Sequence, residues 1–450
     1  MSIMKNELES SLNANQLQEI AQAVLEEANR AGAQQAEVGI STQKGFSVSA
    51  HEGAVETVEY HQDKVVEIQV YFGKRTGAAS TSDLRPESIR AAVEAACHIA
   101  KFTDEDPAAG LAEKDELAFN YPQLELAAPW PITVEQAIEI ACECEREALA
   151  YDKRIMSTEE ATVTTGAMLQ VYANSHGFLG WFPDTRHEIS CVVIAKDKDE
   201  MQRDFSYSAS SDPAQLHTTT FIAREAAEKA VRRLGSRRLP TMKSPVIFAA
   251  EEARGLFGHF SSAISGSNLY RKSTFLIDHL DKKIFPDFMH IQEHPHLAHA
   301  LGSAPFDEDG VDTRANVFVD DGILRSYSLG VYSARKLGMK TTGNSGGVHN
   351  LTVKTGAKDL NALLKTMNKG LLITELMGQG VNLVTGHYSR GVGGFWVENG
   401  EIQYPVHEIT VAGTLQDMFA RMVEVGNDVD RRGTIRTGSV LIEEMMIAGD

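Results

Sequence analysis

The sequence predicts an α+β protein of two domains, and three observations carry that prediction. At 450 residues the chain is longer than the size at which one hydrophobic core stops growing. Over residues 1–234 helical periodicity and strand alternation follow one another in the order helix, strands, helix, and this order occurs twice. Residues 245–450 open with one helical stretch and continue as short alternating runs joined by Asp-Gly and Asn-Gly pairs, the pattern of antiparallel hairpins. Between the two, "GSRRLPTMKSP" has the glycine, proline and basic content of a linker, placed at residues 235–244.

The elements follow in order. A first helix is expected around Asn15 to Ala31. From Glu37 to Ser80, Val38 and Ile40, Phe46 and Val48, then Val66, Ile68, Val70 and Phe72 alternate with polar residues, and Gly45, Gly53 and Gly73 read as turns. A helix from Pro86 to about Phe102 has Ser82 or Asp83 as its expected cap. The second unit has a helix at about Val134 to Ala150 and strands near Ala161 to Tyr172, Glu188 to Ala195 and Gln202 to Ser208. Ser211-Asp212-Pro213 then opens a long Ala-rich helix reaching Leu234. "SASSDPAQ" echoes "ASTSDLRPES" at the same kind of junction, which is either an internal duplication or repeated capping chemistry. In the second half Asp309-Gly310, Asp321-Gly322 and Asn399-Gly400 read as type I′ hairpin turns.

Composition excludes some functions. Lys+Arg 43 against Asp+Glu 62 leaves a formal net charge of -19, which repels a polyanion and argues against nucleic acid as a direct ligand. The first twenty residues lack the positive-then-apolar order of a secretory signal. No apolar run approaches the roughly 20 residues that cross a bilayer. Cys97, Cys142, Cys144 and Cys191 show no CxxC spacing, so a disulfide framework is not expected. A cytoplasmic protein without membrane contact is the expectation.

"VIFAAEEARGLFGHF" raises the question of a metal, because an apolar run leads into Glu251-Glu252 with His259 on the same helical stretch. Metal ligands must converge on one point about 2 Å from each donor. Glu252 and His259 are seven residues apart, so they share a face but lie ~10 Å apart along the axis. The positions that could converge with the glutamates are Gly255 and Leu256, which offer no donor. By its own residues the stretch is a domain-opening helix whose two early acids complement the helix dipole.

Beyond this helix, "YRKSTFLID", "EHPHL", "PFDEDGV", "YSARKLGM", "TTGNSGG", "TELMGQGV", "YSRGVGGFWVENGEIQYPVHEITVAG" and "VGNDVD" follow in order from about residue 245 to the end of the sequence. Together they resemble the TldD/PmbA family of metallopeptidases, in its PmbA (TldE) branch. The resemblance implies that TldD-type subunits carry a His-Glu-x-x-x-His metal motif on this helix and a Cys ligand near the C-terminus. Here those helix positions read Glu251-Glu252-Ala253-Arg254-Gly255-Leu256, so only Glu252 is retained, and all four cysteines precede residue 192. The family thus implies a metalloprotease assembly while this chain implies the subunit without its own metal. Zinc is expected in a TldD-type partner, with a heterodimer formed around peptides or small unfolded proteins, and a homodimer when the partner is absent. The family is also tied to peptide-antibiotic maturation and to an older proposal of gyrase modulation.

Other residues carry weaker signals. His290, His294, His296 and His299, with Glu293, could bind a metal, but Pro295 separates them and a solvated, interface-forming loop is expected. "GNSGG" contains G-x-S-x-G, yet a strand follows where a serine nucleophile needs a helix, so Ser345 with His349 is not read as a catalytic pair. The glycine-rich loops holding Gly343, Asn344, Ser345 and Gly346, and Gly378, Gln379, Gly380, His387 and Arg390, are substrate-facing candidates or simply hairpin ends. Trp130, Trp181 and Trp396 read as packing residues, and Arg271-Lys272 as a solvated turn. Three readings follow: an accessory protease subunit with Glu252 as a vestige, a stand-alone metallopeptidase using the histidine cluster, or a peptide-binding protein without hydrolysis.

Overall fold

The computed structural model describes residues 13–449, so the reading of the N-terminal segment as signal-free falls partly on residues 1–12, outside that range. The side chain of Asn13 accepts hydrogen bonds from the backbone N–H of Asn15 and Gln16 and opens α1 (Ala14–Arg30), which buries Leu17, Ala21, Val24 and Ala28 along one stripe. β1 (Gln35–His51), β2 (Ala54–Phe72), β3 (Arg75–Thr81) and α2 (Pro86–Phe102) complete the first unit. The second has the same order: α3 (Val134–Leu149), β4 (Ile155–Asn174), β5 (Leu179–Asp197), β6 (Glu200–Ser210) and α4 (Thr219–Arg232). All six strands form one antiparallel sheet, β3-β2-β1-β4-β5-β6, so the units meet along β1 and β4. Val38, Ile40 and Ile68 pack on α1 and α2, and Phe46, Val48 and Val163 pack on α3 and α4. One face of the sheet is thereby covered by helices.

The second half comprises β7 (Met242–Phe248), α5 (Ala250–Ala263), α6 (Gly266–Tyr270), β8 (Ile291–Glu293), β9 (Val317–Asp320), β10 (Ile323–Leu324), α7 (Val331–Leu337), β11 (Leu351–Val353) and α8 (Leu360–Met367). It continues as β12 (Gly370–Met377), β13 (Val381–Asn382), β14 (His387–Glu398), β15 (Glu401–Thr414), α9 (Leu415–Ala420), β16 (Met422–Val425), β17 (Ile435–Arg436) and β18 (Val440–Ala448). β12 pairs with both β7 and β14, so the sheet β12-β7-β18-β15-β14-β13 closes on itself. A smaller sheet, β10-β9-β8-β11-β17, stands beside it. Phe248, Leu256, Phe257, Phe260, Val392 and Trp396 share one core between α5 and these sheets. Pairing is mainly antiparallel, with β12·β7 and β11·β17 parallel.

Several local expectations are corrected. Gly45 is not a turn: β1 runs straight through it, opposite Gly166 of β4, where a Cβ would lie 2.2 Å from the Thr165 carbonyl oxygen. The cap of α2 is Arg85 rather than Ser82 or Asp83, and Asp83 instead accepts hydrogen bonds from the Ser88 hydroxyl and the Arg85 guanidinium. Pro213 begins an isolated 3-10 turn, and the helix starts later because Thr218 accepts from the Phe221 N–H. The linker is shorter than residues 235–244, since β7 begins at Met242. Asp321-Gly322 and Asn399-Gly400 have the paired positive φ of type I′ turns. Asp309-Gly310 closes a tight turn with no named strands on either side.

The Gly45 contact makes a prediction. Gly45→Ala must displace backbone and should lower stability by about 1–3 kcal/mol, whereas Gly39→Ala, with nothing within 4 Å of the added carbon, should be close to neutral. Chemical denaturation of both variants checks this, and equal stabilities would refute it.

Candidate functional site

α5 begins against α4, and the seam between them is charged. Glu251 Oε2 accepts from Lys229 Nζ at 2.8 Å and lies 3.3 Å from Arg432 Nη2. Arg432 also pairs with Asp430 at 2.9 Å and Glu225 at 3.6 Å, and its guanidinium stacks on Tyr207 at 4.8 Å. Burial alone would raise the Asp430 carboxyl, but hydrogen bonds from Arg432 hold it below its ordinary value. Arg233, itself buried, pairs with Asp204 of β6 and Glu375 of β12. The early acids of α5 therefore do more than complement its dipole: Glu251 is bound by two cations from elsewhere in the fold.

From the next residue on, the polar groups are less satisfied. Glu252, Arg254 and Arg390 line an open depression of about 420 Å³ with Gly255, Leu376 and the Gly433–Ile435 segment. Burial and the neighbouring Glu251 push the Glu252 carboxyl up to about 7, against the opposing pull of Arg390 and Arg254. Burial and Arg390 together hold the His259 imidazole below its ordinary value. Arg390 Nε, His259 Nε2 and the Tyr388 hydroxyl are buried without a hydrogen-bond partner. The depression thus holds two carboxyl groups, Glu251 and Glu252, with the Arg390 Nε as a spare donor beside them.

A second site lies on the sheet face that carries no helices. There Glu37, Glu67, Gln170 and Asp184 look across a cleft of about 1040 Å³ at loops 301–309 and 345–349. Its lining holds six carboxylates, Glu37, Glu67, Asp184, Asp307, Glu308 and Asp309, and no lysine or arginine. Burial raises Asp184 to about 6 and raises Glu37, Asp307, Glu308 and Asp309 as well, Asp307 and Glu308 being pushed further by Asp309. The loops are locked together, with Asp307 accepting from the N–H of Ser345 at 2.9 Å and of Val311 at 2.8 Å. Behind them Glu293, fully buried, accepts from Asn344 Nδ2 at 2.9 Å and the His349 N–H at 2.7 Å.

Comparison with known proteins follows the same architecture. Residues 36–100, 127–234 and 241–449 match family models described as PmbA/TldA metallopeptidase domain 1, central domain and C-terminal domain. Metalloprotease PmbA of Escherichia coli O157:H7 is 49% identical over 414 residues, 92% of each chain. The chain belongs to the PmbA/TldD family. A PmbA homolog from Haemophilus influenzae is 47% identical over 97% of each chain. A crystal structure from Bacteroides thetaiotaomicron, described as a proposed modulator of DNA gyrase, superposes with a TM-score of 0.90 at 26% identity, covering 96% of this chain and 98% of that one. TldE from Thermococcus kodakarensis, at 19% identity and a TM-score of 0.80, covering 96% of this chain and all of that one, shares the fold.

The metal motif of TldD-type members of the PmbA/TldD family does not fit the residues found here. Glu251, at the position to which the resemblance assigns the first imidazole, pairs through Oε2 with Lys229 and Arg432. Leu256, at the second position, is fully buried in the core. The cysteines lie on α2, α3 and β5, in the other half of the chain. Nor does the histidine cluster converge. His290 lies 2.9 Å from Asp320, His294 lies 2.8 Å from Gln292, His296 lies 2.9 Å from Thr313, and His299 faces Glu125. Among the described residues no group of three or more His, Cys, Asp and Glu side chains is placed to hold a metal. The expected solvated loop is also corrected, because residues 291–293 form β8 in the middle of the smaller sheet.

The substrate-facing candidates divide. Ser345 and Gly346 line the acidic cleft, with Gly343 and Asn344 behind them. Arg390 faces the Glu252 depression, and Gly378, Gln379, Gly380 and His387 are exposed on the β12–β14 hairpin. Two of the glycines have packing reasons. A Cβ on Gly346 would lie 2.7 Å from the Glu308 carboxyl, and one on Gly380 would lie 1.7 Å from the Ser389 carbonyl oxygen. Trp396 is core, Trp130 packs edge-on to His187, and Arg271 and Lys272 are exposed. Sequence reasoning passed over Lys229, Arg432 and the cleft carboxylates. Asp430 and Asp307–Asp309 lay inside quoted family blocks, whereas nothing in the sequence marked Lys229.

The Glu252 carboxyl gives a pH test. Its pKa is raised by folding, so its contribution favours the fold at low pH and is lost as pH rises through about 7. Glu252→Gln should flatten that part of the stability-versus-pH curve, and Arg390→Met should move the Glu252 midpoint upward in a carboxyl carbon NMR titration. A midpoint that falls, or does not move, would show that the two groups are not coupled.

Proposed function

We propose that this chain is the accessory subunit of a cytoplasmic metalloprotease assembly, without a metal site of its own, working with a zinc-bearing TldD-type subunit on peptides or small unfolded proteins. What carries the reading is the state of α5: the helix of the metal motif keeps Glu252, but Lys229 and Arg432 supply the positive charge at Glu251 and Leu256 belongs to the core. A polar face with fixed cations stabilises neighbouring carboxylates without offering ligands. Peptide maturation is the kind of process such an assembly serves. Elemental analysis of the chain alone and after co-purification with a TldD-type partner is the test. Zinc should appear only with the partner. One equivalent of zinc in the isolated chain, with chelator-sensitive peptide hydrolysis, would overturn the proposal.

A second reading, peptide holding without hydrolysis, is favoured by the acidic cleft, whose carboxylates face one another without a lysine or arginine in the lining. Such a surface attracts cationic chain segments through long-range electrostatics. A lysine-rich peptide should bind the isolated chain in a salt-sensitive way, and the double variant Glu67→Gln/Asp184→Asn should weaken it severalfold in calorimetry. Equal affinity for a glutamate-rich peptide would exclude this role.

A further inference from the structure

The helices cover the six-stranded sheet as two separate pairs. α1 and α2 pack over one end of β1 and β4, at Val38, Ile40, Leu169 and Val171, while α3 and α4 pack over the other, at Phe46, Val48, Ala161 and Val163. At the junction of these two cores lies a pocket of about 130 Å³. Tyr60, Phe46, Thr165 and His187 form one cross-strand row along its floor, with Ala167 in the next row, and Pro129 and Trp130 wall it from the connection that leads into α3. The Phe46 and Tyr60 ring centroids are 6.3 Å apart, and the Trp130 ring stands edge-on to His187 at 5.6 Å. A space of this size suits a single aromatic ring, since an apolar cavity of ~150 Å³ takes up benzene.

The neutral polar side chains inside the pocket direct their hydrogen bonds into the protein. His187, 1% exposed, meets the Ala128 carbonyl oxygen through Nε2 at 2.9 Å and Thr165 Oγ1 through Nδ1 at 2.8 Å. A carbonyl can only accept, so Nε2 carries the hydrogen and Nδ1 of the neutral ring accepts from the Thr165 hydroxyl. Burial holds this imidazole below its ordinary pKa, in keeping with the neutral form. The Thr185 hydroxyl donates to the Ser211 carbonyl oxygen at 2.7 Å and accepts from the Ala128 N–H at 2.9 Å. Lys44 is the one charged side chain of the lining. Its cross-strand neighbours are Gln62 and Ala167, and it has no ion-pair partner among the described residues. An aromatic lining with one unpaired cation fits a ligand that is apolar except for a single anionic group.

We propose that this pocket binds an aromatic carboxylate, with the ring among Phe46, Tyr60 and Trp130 and the carboxylate on the Lys44 ammonium, supplied as a free arylalkanoic acid or as the C-terminal residue of a short peptide. Ring-on-ring contacts provide the apolar part of the affinity, and the charge-assisted hydrogen bond from Lys44 selects the acid over neutral analogues. Tyr60, 74% exposed, leaves the pocket open to solvent on its side, so a ligand can enter without unfolding the seam. Residues 44 and 46 alternate with Glu37, Gly39 and Ser41 of the acidic cleft, which places this site on the opposite face of the sheet. The inference therefore rests on neither reading given under the proposed function.

Calorimetry of the full chain with phenylacetate, phenylacetamide and N-acetyl-alanyl-phenylalanine is the test. Phenylacetate should bind, and phenylacetamide, which keeps the ring but loses the charge, should bind about fivefold more weakly. Lys44→Met should erase that difference by weakening phenylacetate alone, a change that a purely structural role of Lys44 would not produce. Ala167→Leu, which sets an isobutyl group in place of a methyl in the lining, should abolish binding of both while leaving the circular dichroism unchanged. Binding of the dipeptide as tight as that of phenylacetate names a peptide terminus as the source, and its failure to bind names the free acid. Absence of phenylacetate binding at millimolar concentration, an undiminished preference for phenylacetate in Lys44→Met, or full binding by folded Ala167→Leu would overturn the proposal.

Discussion

Half-buried and buried positive charges along the seam between α4 and the second half bind the two halves to each other. Lys229 and Arg233 come from α4 or its end, Arg432 from the loop before β17, and together they face Glu251, Glu375, Asp204, Asp430 and Glu225. Asp430 keeps only 4% of its side-chain surface exposed, so neither water nor salt can substitute for its guanidinium partner. Losing one member of such a group strands an uncompensated charge, which is far costlier than losing a surface pair. The same contacts set the start of α5 against α4 and leave Glu252, one residue on, facing Arg390.

With the halves set in this way, the cleft follows from topology. Helices cover one face of the six-stranded sheet, and the opposite face is left to the loops beside the smaller sheet. Those loops cannot move independently, because Glu293 ties Asn344 and His349 to β8 while Asp307 ties Ser345. Phe306 fills the end of the cleft against Phe178, Phe182 and Tyr121, with ring centroids 5.1 to 5.4 Å apart. A carboxylate-rich space results, and burial raises the pKa of most of its carboxyl groups.

Much of the architecture was legible in the sequence where one local rule acts alone. Asn399-Gly400 and Asp321-Gly322 give type I′ turns because both positions need positive φ, and Pro86 starts a helix because its ring already has the right φ. Local rules failed where a distant strand decided. Gly45 looks like a turn in isolation, but its role is to let β4 approach at Gly166. Residues 291–293 look like a loop beside Pro295, but β9 and β11 on either side supply the hydrogen bonds that make them a strand. Pro213 looked like the start of α4, and Thr218 took the cap instead.

The sequence by itself determined which family this chain belongs to, the order of its elements, the absence of imidazole from positions 251 and 256 on α5, and the absence of cysteine after residue 191. Those are properties of residue identity and short-range spacing, and they survive without coordinates. Only the tertiary structure decided that Glu251 pairs with Lys229 and Arg432, that the four histidines between 290 and 299 contact Asp320, Gln292, Thr313 and Glu125 rather than one another, and that Glu37, Glu67, Asp184 and Asp307 share one cleft. Their separations along the chain run to hundreds of residues, and an electrostatic contact depends on distance in space, which no local pattern encodes.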